Sequence, residues 1–169
     1  MVKIKYLIIA LLVLIIGIIG VMAIIYFSQS EEKKVKRQFD LLSEGVSKDP
    51  DENAFTMIKK MKGIGSLFDE TCGLKIPTQS LSGTYGREEI VSYAAQARSY
   101  FSQLYLKFYD FNIIFPEKGV AKAHLTARLA GKSTFGEHVD EAHELECVLK
   151  KIENKWLLSD VEVVEVLKK

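Results

Sequence analysis

The side chains best suited to chemistry are few: three histidines, two cysteines and scattered carboxylates in a chain of 169 residues. His138, Asp140 and His143 lie close enough in sequence to suggest a metal site, because imidazole and carboxylate are common zinc ligands. On a regular strand, however, His138 and Asp140 share one side and His143 points to the other. Only a bulge near Glu141 would gather them, so no metal is expected. His124 falls on the strand face that carries Lys122 and Arg128 and reads as a surface histidine. Cys72 and Cys147 lack the C-x-x-C partners of a metal site. They are either joined, as an exported domain permits, or buried as small hydrophobes. There is no nucleophile elbow, phosphate loop or zinc-binding helix motif, and no cofactor is expected.

The elements that position these residues begin with an uncharged apolar run over residues 6–27, YLIIALLVLIIGIIGVMAIIYF. About 20 apolar helical residues span the hydrocarbon core of a bilayer. The run exceeds the roughly 7–15 residues of a signal-peptide core and has no small-x-small exit. It is therefore expected to stay as a single-pass anchor, with Tyr6 at one headgroup interface and Tyr26 and Phe27 at the other. Basic residues flank both ends, Lys3 and Lys5 on one side and Lys33, Lys34, Lys36 and Arg37 on the other, so the positive-inside bias is divided. The short basic tail resembles the start of an export signal. The expected orientation places the amino terminus in the cytoplasm and the domain outside; the reverse would set residues 33–37 against the lipid surface. Residues 1–29 are the expected tail and anchor, and residues 30–169 the expected domain.

Taking Lys3 and Lys5 from the whole chain's formal +1 leaves the remainder at about −1, with lysines alternating with acidic residues. A nucleic-acid binder carries a basic stripe or patch, so nucleic acid is not an expected partner. Val35, Phe39, Leu42 and Val46 make a helical apolar stripe that continues from the anchor without a break. Asp49-Pro50-Asp51-Glu52 reads as a second helix start, with Asp49 as cap, Pro50 in the first helical position and Glu52 completing a capping box. That helix is expected to bury Ala54, Ile58, Met61, Gly65 and Phe68. A short strand over residues 71–76, a second near Leu81 and a third helix over residues 87–100 follow. The period then changes to two through four strands, near residues 104–115, 120–129, 139–151 and 156–166. On the second of these, Ala121, Ala123, Leu125, Ala127 and Leu129 share one face; on the third, His143, Leu145, Cys147 and Leu149 do. Helices on one side of an antiparallel meander define an α+β class.

This order, with SGTYGREEIVSYAAQARSYF as turn and third helix and NKWLLSDVEVVEV as a closing strand, resembles the nuclear transport factor 2-like superfamily, which includes SnoaL-like proteins. The resemblance implies three helices packed on a curved antiparallel sheet, a cone, preceded here by one transmembrane helix. It also places Cys72 two strands from Cys147, about 10 Å away and beyond disulfide reach, which favours free thiols. Enzymes of the superfamily keep an acid or base inside the cone. The matching positions are His143 and, if Trp156 and Leu158 face inward, Asp160, a pair able to shuttle a proton in an isomerase or cyclase. The bland alternative leaves His143 at the cone mouth and turns Asp160 outward through a bulge. Candidate ligand-binding residues are Tyr93, Phe101, His143, Trp156 and Asp160. Aromatics beyond the needs of one core face, among them Tyr105 and Tyr109, are candidate partner contacts. The expected function is a membrane-anchored, non-catalytic binding or scaffold domain for a protein partner or a small apolar ligand, with the enzyme as the competing class.

Overall fold

A computed structural model describes residues 2–77 and 81–164; in its first helix, side chains are described at residues 15–19, at 22 and from 29 onward. The chain forms two compact units, divided between Lys34 and Val35. Helix α1 (Val2–Val46) is continuous. Among the described residues no helix is long and apolar enough to cross a membrane. Most of the run over residues 6–27, on which the expected span rests, lies outside them.

The second unit begins with the last part of α1, where Val35 and Phe39 are fully buried and Leu42 and Val46 pack at the margin of the same core. Helix α2 (Ala54–Gly65) starts later than the Asp-Pro pattern suggests. Its cap is Asn53, whose side chain accepts from the Thr56 N–H at 2.8 Å. Residues 49–52 form a turn instead, closed by the Glu52 N–H on Asp49 O. The expected face is buried only in its second half: Met61 and Gly65 are buried, with Ile64 beside them and Phe68 beyond the helix, while Ala54 and Ile58 at its start are exposed, contrary to the expectation. Ile64 comes so close to α1 that a Cβ on Gly45 would lie 2.7 Å from its Cγ1, so glycine at 45 sets how near the two helices pack.

Strands β1 (Phe68–Ile76) and β2 (Leu81–Gly86) form a hairpin, and α3 (Arg87–Ser99) follows directly. The Glu89 carboxylate accepts from the Gly86 N–H at 2.8 Å at the start of α3. The long strands β3 (Phe101–Glu117), β4 (Val120–Ser133), β5 (His138–Ile152) and β6 (Lys155–Val164) make the meander. The sheet order is β2-β1-β6-β5-β4-β3. All pairs are antiparallel except β1 with β6, which is parallel. The expectation of a wholly antiparallel sheet is corrected there; side-chain alternation reports which face a residue takes and carries no information on strand direction.

Curvature comes from irregularities in β3, whose register shifts between Phe101 and Gln103, between Tyr109 and Asn112, and between Ile114 and Glu117. Each puts an extra residue on β3, bending and twisting the strand. At the middle one Asp110 takes φ 54°, the left-handed conformation that a bulge of this kind requires. The shift keeps Phe108 and Phe111 both on the core side, each edge-on to Phe39 at 5.4 and 5.5 Å. Tyr105 and Tyr109 fall on the outer face and are exposed.

One buried charge cluster ties the helices to this sheet. Arg98 on α3 directs Nη2 at both oxygens of Glu52, at 2.7 and 2.8 Å, with the two side chains only 4% and 3% exposed. Arg98 also donates from Nε to Val46 O and from Nη2 to Ser47 O, while Lys60 on α2 donates to Glu52 and to Ser47 O. Two cations thus meet one carboxylate and the otherwise unpaired carbonyls at the end of α1, where the helix dipole is negative. Lys48 extends the stitch: its Nζ donates to Phe101 O and Arg98 O at the end of α3, and its backbone bridges to Leu104 on the β3 edge.

Breaking a buried pair from one side leaves the other charge uncompensated. Arg98→Met and Glu52→Gln are each expected to lower unfolding free energy by about 3–5 kcal/mol in urea titration of the full chain. A loss below about 1 kcal/mol would contradict the account. Burial pulls the Glu52 pKa up, but hydrogen bonds from Lys60 and Arg98 and their charges outweigh it and hold the carboxyl below its ordinary 4.5. A depressed folded pKa contributes stability that is complete above the unfolded value. Acid titration should therefore show this contribution fading only as pH falls below about 4.5, and Glu52→Gln should flatten that part of the profile.

Candidate functional site

Between the helices and the β1–β2 end of the sheet lies a cavity of about 670 Å³. Its deep wall is Ile64, Phe68 and Ile90, all buried. Its sides are Leu42 and Val46 from α1 together with Leu74, Ile76 and Leu81 from the hairpin. Helix α3 closes the remaining side with Tyr93, Gln96 and Tyr100, spaced three and four residues apart on one face, and Phe101 begins the next strand. These three α3 side chains are exposed, so they line the mouth. Among the described residues no acidic, basic, imidazole or thiol side chain lines the cavity. Its size is that of small-molecule sites, which are largely apolar with a few polar groups setting orientation.

The residues singled out from sequence fall in four places. Tyr93 and Phe101 line this cavity. Trp156 is buried in the core against Phe115, ring centroids 5.8 Å apart, with Lys151 Nζ 5.7 Å from its ring. His143 sits on β5 opposite Ala127, half-exposed, its Nε2 3.3 Å from Glu141 Oε2. Asp160 lies on the outer face of the sheet.

The last placement corrects the proposed proton-shuttling pair, and its cause is one extra residue. Leu158 pairs with Leu149, but Asp160 pairs with Val148, so Ser159 is a bulge that reverses the alternation of β6. The Asp160 carboxylate then covers Gly73, where a Cβ would lie 2.5 Å from Oδ1. His143 precedes Val148 by five positions on β5, roughly 17 Å at about 3.4 Å per residue, and shares the face of Leu145, opposite to Asp160. The two cannot act as one acid–base unit.

Asp160 instead lines a shallow groove of about 300 Å³ on the outer face with Lys122, His124, Glu146 and Glu162. There His124 is exposed, 3.8 Å from Glu144 and 3.9 Å from Glu146. Of the group that suggested a metal, Asp140 is held by the Arg128 guanidinium at 2.8 and 2.6 Å. No cluster of three potential metal-ligating side chains occurs among the described residues. Cys72 and Cys147 are buried free thiols on β1 and β5, with β6 between them. Burial, aided by neighbouring negative groups, pushes both thiols up to about 12, so they stay protonated and inert near neutrality.

Comparison with known proteins places the fold. No family sequence model matches the chain, and no curated protein matches it in sequence. Many solved structures do match. A candidate scytalone dehydratase from Novosphingobium aromaticivorans superposes with TM-score 0.67 at 15% identity, covering 83% of this chain and 87% of that one. A candidate dehydratase of the nuclear transport factor 2-like family from Streptomyces avermitilis gives 0.64 at 12% identity over 83% and 99%. A hexachlorocyclohexane dehydrochlorinase gives 0.66 at 10% identity over 81% and 86%. The domain has the nuclear transport factor 2-like α+β fold, as the order of its elements suggested; at these identities the likeness concerns fold alone.

The cavity itself was only partly legible. Leu42 and Val46 stand out in the sequence as a stripe and Tyr100 as one of the surplus aromatics, whereas only its helical spacing from Tyr93 marks Gln96. Because His143 and Asp160 are far apart on opposite faces, His143→Ala and Asp160→Asn should be additive. A double-mutant cycle on stability is expected to give a coupling below about 0.5 kcal/mol; coupling above about 1 kcal/mol would mean the two side chains meet.

Proposed function

We propose that this protein is a membrane-anchored, non-catalytic binding domain, displayed outside the cytoplasm, whose cavity takes a small apolar ligand. The observation that carries the ligand reading is the cavity lining: a pocket of ligand size with apolar walls and, among the described residues, polar groups only at its mouth and no acid or base to move a proton. The anchor rests on the uncharged run over residues 6–27, long enough for one span. The protein-partner branch of the reading rests on Tyr105, Tyr109 and Ile114, exposed on the outer sheet face; the ligand branch has the better-defined receptor.

The enzyme reading draws on the names of two structural neighbours, a candidate scytalone dehydratase and a hexachlorocyclohexane dehydrochlorinase. It requires a proton-transferring group in the cavity; His143 takes the inner face of β5 but is not among the lining residues, and Asp160 takes the outer face.

Two experiments test the proposal. A reporter active only outside the cytoplasm, fused after Lys169, should be active; a cytoplasmic signal would reverse the orientation. Mass spectrometry of the full-length protein, gently extracted from membranes, should detect a bound apolar compound. Ala97→Trp, which plugs the mouth from an exposed position, should abolish retention, and His143→Ala and Asp160→Asn should leave it unchanged. Retention unaffected by Ala97→Trp but lost with either of the others would overturn the ligand reading.

A further inference from the structure

Resting on the reading of the cavity as a ligand site, we infer that its ligand is an uncharged amphiphile, held apolar end inward with its polar end at Tyr93, Gln96 and Tyr100. Three observations converge on this. The first is the gradient of polarity along the cavity. Ile64, Phe68 and Ile90 at the closed end are 1%, 5% and 6% exposed, whereas Tyr93 and Tyr100 at the mouth are 42% and 55% exposed and stand beside the exposed Gln96 amide. An amphiphile exchanges water for hydrogen bonds with these groups at its polar end, whereas a molecule polar throughout loses its hydration against aliphatic walls with nothing to replace it.

The second is the absence of a counter-charge. A carboxylate or ammonium carried into such a space needs an opposite charge or several hydrogen bonds to offset desolvation. The cations of the neighbouring elements are already committed: Arg98 and Lys60 to Glu52 and the end of α1, Lys48 to Phe101 O and Arg98 O, and Arg87 at the start of α3 to Phe68 O through Nε. None of them lines the cavity, and no carboxylate does so among the described residues.

The third is the direction of α3. Tyr100 is its C-cap, with its N–H on Ala97 O, so the end of α3 that meets the mouth is the carbonyl end and carries negative partial charge. Lys48 Nζ already meets Arg98 O there and offsets that charge, so the helix end offers neither an anionic nor a cationic head a partner. A head that donates a hydrogen bond, such as a hydroxyl, is met by the Gln96 carbonyl and the tyrosine oxygens as acceptors.

The test uses the full chain in lipid nanodiscs with carbon-13-labelled isoleucine methyl groups, read by NMR at Ile64 and Ile90. The probes are 1-decanol, decanoate and decyltrimethylammonium at neutral pH, with free concentrations corrected against empty nanodiscs. The expected result is saturable shifts of both methyls by 1-decanol, with an apparent Kd lower by about tenfold or more than for either ionic probe. The Ala97→Trp variant should abolish these shifts, and Gln96→Leu should weaken 1-decanol by about three- to tenfold. Equal affinity for the three probes would overturn the inference and leave the cavity reading standing. Failure of all three to shift either methyl, or shifts that persist in Ala97→Trp, would overturn the cavity reading itself.

Discussion

The buried contact between Arg98 and Glu52 is the constraint on which the rest of the domain depends. A guanidinium removed from water is costly unless its donors are met. Here they are met by a carboxylate and by two backbone carbonyls at the end of α1 that would otherwise be orphaned. One arginine thereby fixes three elements at once: the end of α1, the turn that carries Glu52, and α3. Lys60 draws α2 into the same cluster, and Lys48 fastens it to the start of β3. The end of α1 and the residue after it also cover part of an edge strand, since Ser43 donates to Leu106 O and the Leu106 N–H donates to Ser47 Oγ.

An open apolar cavity follows from this arrangement. Hydrophobic surfaces left to themselves close on one another, because filling a void recovers contacts. Polar fastenings at one end of the helices resist that closure by fixing where the helices stand, and the bulges of β3 curl the sheet around them. The core proper lies beside the cavity and shares Ile64, Phe68 and Ile90 with it. Phe39, Leu125, Leu149 and Leu158 are fully buried under the central strands, while the β1–β2 hairpin and α3 border the space that remains. The packed core and the open space thereby occupy neighbouring parts of one small domain.

Much of this plan was readable in the residues. The stripe of Val35, Phe39, Leu42 and Val46 marks the buried side of α1, and strict alternation from Ala121 to Leu125 identifies the core face of β4. The misreadings have physical causes. The Asp-Pro-Asp-Glu pattern is a sound helix start in isolation, but Glu52 is engaged by Arg98 and Lys60 and not by a backbone N–H of its own turn, so Asn53 becomes the cap and α2 starts later. Simple parity along β6 would put Asp160 inside; the alternative, an outward turn through a bulge, is the one Ser159 realises. A bulge changes one residue's pairing and every later residue's face, and no local composition announces it. The parallel pairing of β1 with β6 joins residues nearly ninety positions apart, such as Gly73 and Asp160, beyond the reach of any short-range pattern.

The central claim, that a polar clasp holds the three helices as one piece over the sheet, is tested most directly by amide hydrogen exchange on the intact protein. The account predicts that residues 42–46, 61–65 and 95–99 exchange together, at the slow rate set by global unfolding and shared with the β4–β5 ladder. Exchange of residues 42–46 or 95–99 orders of magnitude faster than that ladder would contradict it.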